Sequence, residues 1–391
     1  VTSGSNLAQR LQERLSERHA AGLYRRRELV EQVDGARARI GGRWYVNFSS
    51  NDYLGLSQHP DIAAALSRVG FTAHGAGASP LVSGYTTLHQ EVETAVANYL
   101  GLPAALLCSS GYCANLGLLG ALLERGEAVF HDRHNHASLL DATRLAGARL
   151  RRYPHLDTKA LRRQLRKTSQ VARLLVTEGV FSMDGDLAPL PELADCAELY
   201  GLSLVVDDAH GFGVLGQNGR GSVEAFGLPP SRAPIRIITF GKALGLAGAC
   251  IVGPEQVIDA LVQFARPYIY STACSPAMCS ALLAALAVLR NEAWRRQRLG
   301  DLVNRFQAAA RQRGIPVSQT DGPIQPLILG NVDTALRAAA ALRSSGFLVK
   351  AFRPPTVPAG TARLRISFSA LHDDAHIDGL VAALAALLSA A

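Results

Sequence analysis

Four short loops hold residues whose types could do chemistry together. The first is Thr239-Phe240-Gly241-Lys242-Ala243-Leu244-Gly245, directly after the apolar run at 235–238. A lysine leaving a buried strand among glycines is poorly placed for a solvated surface role. Desolvation lowers an ammonium's pKa, so such a lysine can act as a nucleophilic amine and form a Schiff base. Alone, a Gly-Lys pair in this setting is more often an ordinary loop lysine. A second loop supplies context. The apolar run at 202–206 leads into Asp207-Asp208-Ala209-His210-Gly211. A carboxylate at the end of a buried strand can pair with a protonated pyridine nitrogen and keep that ring an electron sink. His210, three residues on, could then reach a ring oxygen.

Two other readings compete for this second loop. Asp-Asp-x-His could ligate a metal, although no further ligand cluster accompanies it. Gly211-Phe212-Gly213-Val214-Leu215-Gly216 spells a G-x-G-x-x-G after a strand, so a nicotinamide-dependent dehydrogenase must be weighed. That fingerprint needs its glycines to open a helix that receives the pyrophosphate. Gln217-Asn218-Gly219-Arg220-Gly221 follows instead, which reads as turn. The match is accidental.

The third loop is Ser109-Ser110-Gly111-Tyr112, ahead of a helical stretch at 114–123. Small residues at a helix N-terminus leave N–H groups free to face a phosphate. The fourth, Thr177-Glu178-Gly179-Val180-Phe181-Ser182-Met183-Asp184-Gly185, offers hydroxyls to a ring oxygen. His136, in Asn135-His136-Ala137-Ser138, follows the apolar run at 128–131. A lone histidine is more often a satisfied structural residue, but its place at the same sheet edge makes stacking on a ring plausible.

These loops need a frame. Short, continuous apolar runs at 104–108, 128–131, 174–177, 202–206, 235–240 and 249–252 alternate with stretches long enough for crossover helices. Buried parallel strands read this way, and the pattern predicts an α/β doubly wound sheet with ligands at its carboxyl edge. A polar, arginine-rich helix is expected over 7–30, and one long helix over 276–313. Strands at 324–329, 347–352 and 362–369, with helices at 334–344 and from 373, suit a small α+β domain. The expected division is an N-terminal arm (1–45), a large domain (46–290) and a small C-terminal domain (291–391).

Composition narrows the class. The chain has 391 residues, 48% hydrophobic and 18% charged, which is ordinary globular composition. Its formal charge of +8 comes from 40 Lys+Arg against 32 Asp+Glu. Without interleaved aromatics this suits anionic substrates better than nucleic acid. The six cysteines form no CxxC pair and read as free thiols of a reducing compartment. The apolar runs at 277–289 and 379–391 are shorter than the roughly 18 residues a bilayer span needs. No signal-peptide pattern opens the sequence. The expectation is a cytoplasmic enzyme without metal, nucleic-acid or membrane partners.

Taken together the loops resemble those of the α-oxoamine synthases, a family of pyridoxal-phosphate enzymes. The resemblance runs from Asn47-Phe48-Ser49-Ser50-Asn51-Asp52-Tyr53-Leu54-Gly55-Leu56 to Arg363-Leu364-Arg365-Ile366-Ser367. It implies an aspartate-aminotransferase-like fold type I, with a large, mostly parallel doubly wound domain plus a small α+β C-terminal one. It also implies pyridoxal 5'-phosphate as cofactor and a homodimer as the working unit. Asp207-Asp208-Ala209-His210-Gly211, SPLVSGY (79–85) and PTVPAGTARLR (355–365) look most like the branch that joins L-alanine to a pimeloyl thioester for biotin. The acyl donor there is a coenzyme A ester or an acyl carrier protein. A sister reaction, glycine with acetyl-CoA or serine with a long acyl-CoA, is the alternative.

The resemblance also implies roles. Lys242 would hold the cofactor and move the α-proton, Asp207 would pair with the ring nitrogen, and His210 with the ring oxygen. His136 would stack on the ring and contact substrate. Gly111, Tyr112, Ser182 and Thr239 match cofactor-binding positions, and Thr272 matches one that reaches the neighbouring subunit's phosphate. Arg365 would take the amino-acid carboxylate, while Arg25 and Thr356 match acyl-substrate positions.

Overall fold

The computed structural model describes residues 6–70, 74–318 and 320–389. Three strands lie near the start of the chain: β1 (Gln32–Asp34), β2 (Arg37–Ile40) and β3 (Arg43–Asn47). Seven more follow: β4 (Ala104–Cys108), β5 (Ala128–Asp132), β6 (Arg149–Tyr153), β7 (Ala172–Glu178), β8 (Ser203–Asp207), β9 (Ile235–Thr239) and β10 (Ala249–Gly253). The last are β11 (Ile324–Gly330), β12 (Phe347–Leu348), β13 (Lys350–Phe352) and β14 (Ala362–Ser367).

The chain divides into two units. One comprises Asn51–Asp301 with Thr320–Pro323; the other joins Val1–Ser50 to Leu302–Gln319 and Ile324–Ala391. In the first, β4–β10 form a seven-stranded sheet in the order β4-β10-β9-β8-β7-β5-β6. All pairings are parallel except those of β10, which runs antiparallel to both β4 and β9. The doubly wound expectation holds with that one reversal. The carboxyl ends of β4, β5, β7, β8 and β9 therefore share one sheet edge, and every loop singled out by its chemistry leaves from it.

Continuous apolar runs follow from cover on both faces. Val129, Val176, Val205 and Ile237 pack on one face beneath Leu118, Leu119 and Leu261 of the helices Gly111–Leu122 and Glu255–Phe264. Their neighbours Phe130, Leu175, Leu204 and Val206 pack on the other, against Leu161 and Leu193 of Thr158–Lys167 and Leu190–Leu199. Strand β6 departs from the expected set. It lies at the sheet's edge with Arg149, Arg151 and Arg152 exposed, so it has no apolar run to betray it; charge also blunts an open strand edge.

The expected long helix over 276–313 is two, Pro276–Asn291 and Trp294–Gln312. Glu292 stands at the break, its carboxylate 3.1 Å from His59 Nε2 and accepting from Arg295 Nε at 2.7 Å, while Arg295 Nη1 donates to Leu54 O at 3.0 Å. The N-terminal helix is likewise shorter than expected, ending at Ala20 just before Gly22, whose φ of 65° is left-handed.

In the other unit, β1-β2-β3-β12 and β11-β14-β13 form two small sheets. The expected strand at 347–352 is shared between them. Phe347 and Leu348 pair with β3, and Lys350–Phe352 pair with β14. Phe48, Phe306 and Phe368 pack edge-on or tilted, and His372 stacks on Phe48 at 4.2 Å. The cysteines carry no disulfide, and no helix among the described residues is long and apolar enough to cross a membrane.

Ile237 is fully buried in β9, the strand that leads to Lys242. Ile237→Ala should lower the unfolding free energy by about 2–5 kcal/mol, through lost burial and the cavity left behind. Denaturant unfolding measures this; a loss under about 1 kcal/mol would contradict the packing described.

Candidate active site

Strand β9 ends in a tight loop. Phe240 N–H donates to Gly248 O at 3.0 Å, Leu246 N–H to Phe240 O at 2.8 Å, and Gly245 N–H to Lys242 O at 3.0 Å. The loop holds Lys242 half-buried. His136 and Glu178 both feel its charge.

Asp207 is the last residue of β8 and is buried. Its Oδ2 accepts from Asn115 Nδ2 at 2.8 Å and its Oδ1 from Ala209 N–H at 3.1 Å. Asn115 lies on the helix Gly111–Leu122 and also donates to Ser138 Oγ at 2.9 Å. Ser138 Oγ is 2.7 Å from His136 Nδ1. One relay thus links the ends of β8 and β5. Burial pushes the His136 imidazole below its ordinary pKa; Asp207 opposes this and Lys242 reinforces it. A neutral, flat ring results.

The neighbouring aspartate has other partners. Asp208 Oδ2 accepts from Ser222 N–H at 2.8 Å, and burial raises its carboxyl to about 6. His210 turns to Tyr53, whose Oη lies 2.7 Å from its Nδ1. Asp207, Asp208 and His210 therefore diverge instead of enclosing a metal. The 211–216 glycines form turn, with Gly213 and Gly216 left-handed, and no helix begins until Ser222.

At the amino end of Gly111–Leu122, Ser110 Oγ accepts from Cys113 N–H at 3.2 Å. Gly111 sits against Thr239, where an added Cβ would lie 2.6 Å from Thr239 Cγ2. Thr239 Oγ1 is buried with no hydrogen-bond partner among the described residues. Tyr112 donates its hydroxyl to Asp141 Oδ2 at 2.6 Å and presents its ring edge-on to His136 at 6.4 Å. Ser182 lies half-buried in the loop after β7. Thr272 is exposed and lines a cavity with Ser109 and Cys113.

Three expected residues belong to the other unit. Arg365 is buried in β14, its guanidinium 5.9 Å from the Phe352 ring. Arg25 and Thr356 are far apart in sequence and both exposed, yet Arg25 Nη2 donates to Thr356 Oγ1 at 3.1 Å. The structure brings that pair together.

Sequence reading missed three contributors. Asn115 was legible only as a lone polar residue in an apolar helical run. Glu178, inside a loop already singled out, drew no role. The third is a clamp. His155 Nδ1 lies 2.8 Å from Asp132 Oδ1 and its Nε2 2.9 Å from Asp186 Oδ2. His134 stacks on it at 4.0 Å and reaches Asp184 at 3.1 Å. His134, His155 and Asp184 offer ligand atoms within 4.8 Å of one another, but both nitrogens of His155 are already engaged. The clamp ties the exit of β5, which leads to His136, to the loop that carries Ser182.

The sequence profile of the family Aminotransferase class I and II matches residues 44–384. An 8-amino-7-oxononanoate synthase of Halorhodospira halophila is 51% identical over 387 residues, covering 98% of this chain and 96% of that one. A serine palmitoyltransferase of S. paucimobilis, solved with bound PLP, superposes with a TM-score of 0.92 at 29% identity, over 98% and 99% of the two chains. An 8-amino-7-oxononanoate synthase of Francisella tularensis gives 0.77 at 31% identity, over 88% and 98%.

The clamp is testable without any ligand. Burial opposes a charge on His155, yet the carboxylates of Asp132 and Asp186 outweigh it and lift the imidazole to about 10. A histidine raised on folding stabilises fully below its unfolded pKa and loses that contribution as pH climbs through the folded value. His155→Gln should therefore cost about 2–4 kcal/mol near pH 6, and the gap should close toward pH 10. Denaturant unfolding across that range measures it; a gap independent of pH would rule out a charged clamp.

Proposed function

The chain belongs to the class I and II aminotransferase family, and from that premise we propose that it joins L-alanine to a pimeloyl thioester, releasing carbon dioxide and the thiol. This is the reaction of the 8-amino-7-oxononanoate synthases, with which it shares about half of its residues. The observation that carries the reading is 50–51% identity to enzymes of that name across 96–98% of the chain. The relay from Asp207 through Asn115 and Ser138 to His136 supports the cofactor chemistry that the whole family shares.

The residues fit pyridoxal 5'-phosphate. Thr239 Oγ1 is a buried hydroxyl with no partner among the described residues, and the missing side chain of Gly111 lets the helix N-terminus approach it closely. The helix opened by Gly111 has N–H groups for a phosphate. Bound there, the cofactor supplies an aldehyde for amines and a ring that draws electrons from an attached amino acid's α-carbon. Lys242 would hold that aldehyde through its Nζ, and with alanine bound the same Nζ would remove the α-proton and later return one. Asp207 would keep a proton on the ring nitrogen, His210 and Ser182 would serve the ring oxygen, and neutral His136 would cover the ring face. Tyr112 completes the cofactor shell. We assign Arg365 to the alanine carboxylate, and Arg25 with Thr356 to the distal end of the acyl chain. The α-carbon displaces the thiol at the thioester carbonyl, and the carboxylate then departs as carbon dioxide. The likeness to serine palmitoyltransferases keeps a sister reaction as second reading, but half of the residues shared with the alanine-using enzymes favours the first.

The working unit we propose is a homodimer in which Thr272 meets the phosphate of the other copy. Its exposure beside the Ser109 loop supports this. Sedimentation should show a dimer, and Thr272→Ala should hold the cofactor less tightly; a fully active monomer would refute it.

Lys242→Ala should abolish turnover and the visible absorption of covalently held cofactor, because alanine has no amine to condense. Asp207→Asn should slow the reaction at least about a hundredfold by removing one partner of a buried ion pair. Crippling by Asp208→Asn instead would mean the wrong aspartate was chosen.

The deciding experiment compares kcat/KM for pimeloyl-CoA and acetyl-CoA, with alanine saturating. Each buried methylene contributes roughly 0.8 kcal/mol, so pimeloyl-CoA should win clearly, and Arg25→Ala should shrink the margin. A preference for acetyl-CoA would end the pimeloyl assignment while leaving the family intact.

A further inference from the structure

We propose that Glu178 is a neutral carboxylic acid at neutral pH, seated beside Asp207, and that it positions the His136 and Ser182 loops without adding a second negative charge. Glu178 and Asp207 are the last residues of adjacent parallel strands and occupy paired positions, Glu178↔Asp207. Paired residues of parallel strands project from the same face of the sheet. The side chains are 3% and 6% exposed, so water screens neither.

Two buried carboxyl groups at paired strand positions disfavour a second negative charge, and the donors around each bear on where a charge is tolerated. Asp207 has two donors, Asn115 Nδ2 at 2.8 Å and Ala209 N–H at 3.1 Å. Glu178 Oε1 is buried with no hydrogen-bond partner in the described structure. The groups facing Glu178 are Asp207 on β8, Lys242 beyond β9 and the backbone N–H groups of His136 and Ser182. Burial and then Asp207 drive its pKa well up; Lys242 and the two N–H groups pull the other way without prevailing. Those same N–H groups are what Glu178 gathers. One belongs to the loop after β5 and the other to the loop after β7. Glu178 is thus a positioning residue, and the inference rests on the reading of Asp207 as the ring-nitrogen partner.

Three measurements on the holoenzyme test it. Infrared spectra of protein labelled with ¹³C at the glutamate carboxyls should show a protonated carboxyl band at neutral pH, missing from Glu178→Gln. Thermal unfolding gives the second. An acid whose pKa is raised on folding loses stability as pH climbs above its unfolded value. The advantage of Glu178→Gln over wild type should therefore grow as pH rises above the ordinary glutamate range. Third, Glu178→Ala should lower kcat/KM by about tenfold or more, and Glu178→Gln should recover most of it. An absent band, a stability difference flat with pH, or a Gln variant as impaired as Ala would each overturn the proposal. Harmless Asp207→Asn would sink the reading of Asp207, while the infrared band would still decide the state of Glu178.

Discussion

A carboxylate at the end of a hydrophobic strand is tolerable only while donors share its charge. Asp207 is that carboxylate, and much of the site is arranged by the way its need is met. Asn115 supplies one donor and, because its amide has a second hydrogen, also holds Ser138. Ser138 in turn fixes His136. Ala209 supplies the other donor by turning the chain immediately after β8. That same turn leaves Asp208 free to meet Ser222 and His210 to meet Tyr53. Removing the charge at Asp207 would remove the reason for several of these placements at once.

The reversed strand β10 solves a spacing problem. It lies between β4 and β9, and Ala249 pairs with Cys108 on one side and Thr239 on the other. At the sheet edge, then, the inserted strand contributes Gly248 and Ala249, among the smallest side chains available. The loop leaving β4 can lean across them until Gly111 meets Thr239. A Cβ at Gly111 would collide there, so the glycine is required by close approach and not by its φ. A buried threonine hydroxyl and a helix N-terminus come together, which is how neutral groups can hold an anion.

The large unit was mostly legible because its strands are covered on both faces. Coverage forces continuous apolar runs, and the ends of those runs located Lys242, Asp207, His210 and the Ser109–Tyr112 loop. Where coverage fails, the signal fails. Strand β6, at the edge, spells Arg-Leu-Arg-Arg-Tyr and gave no strand pattern. The break at Glu292 was equally silent, since it depends on His59, distant in sequence. Asn115, Glu178 and His155 were missed for the same reason. Each acts through a partner that only the strand order brings near.

The frame that positions Lys242 and Asp207 is general to the fold, so it cannot by itself choose between alanine and serine or between a short acyl chain and a long one. The proposed roles give that choice to Arg365 and Arg25. Arg365 is buried on a strand, paired in register with Pro326 and Lys350 and lying near an aromatic ring. Little of its freedom remains to be lost on binding, which suits a group common to every amino acid. Arg25 is exposed, steadied among the described residues by a hydrogen bond to Thr356. A side chain held so lightly can be replaced or re-aimed at small structural cost. In the roles proposed for them, the rigid arginine would suit the amino-acid carboxylate, and the loosely held one would suit an acyl end that can vary.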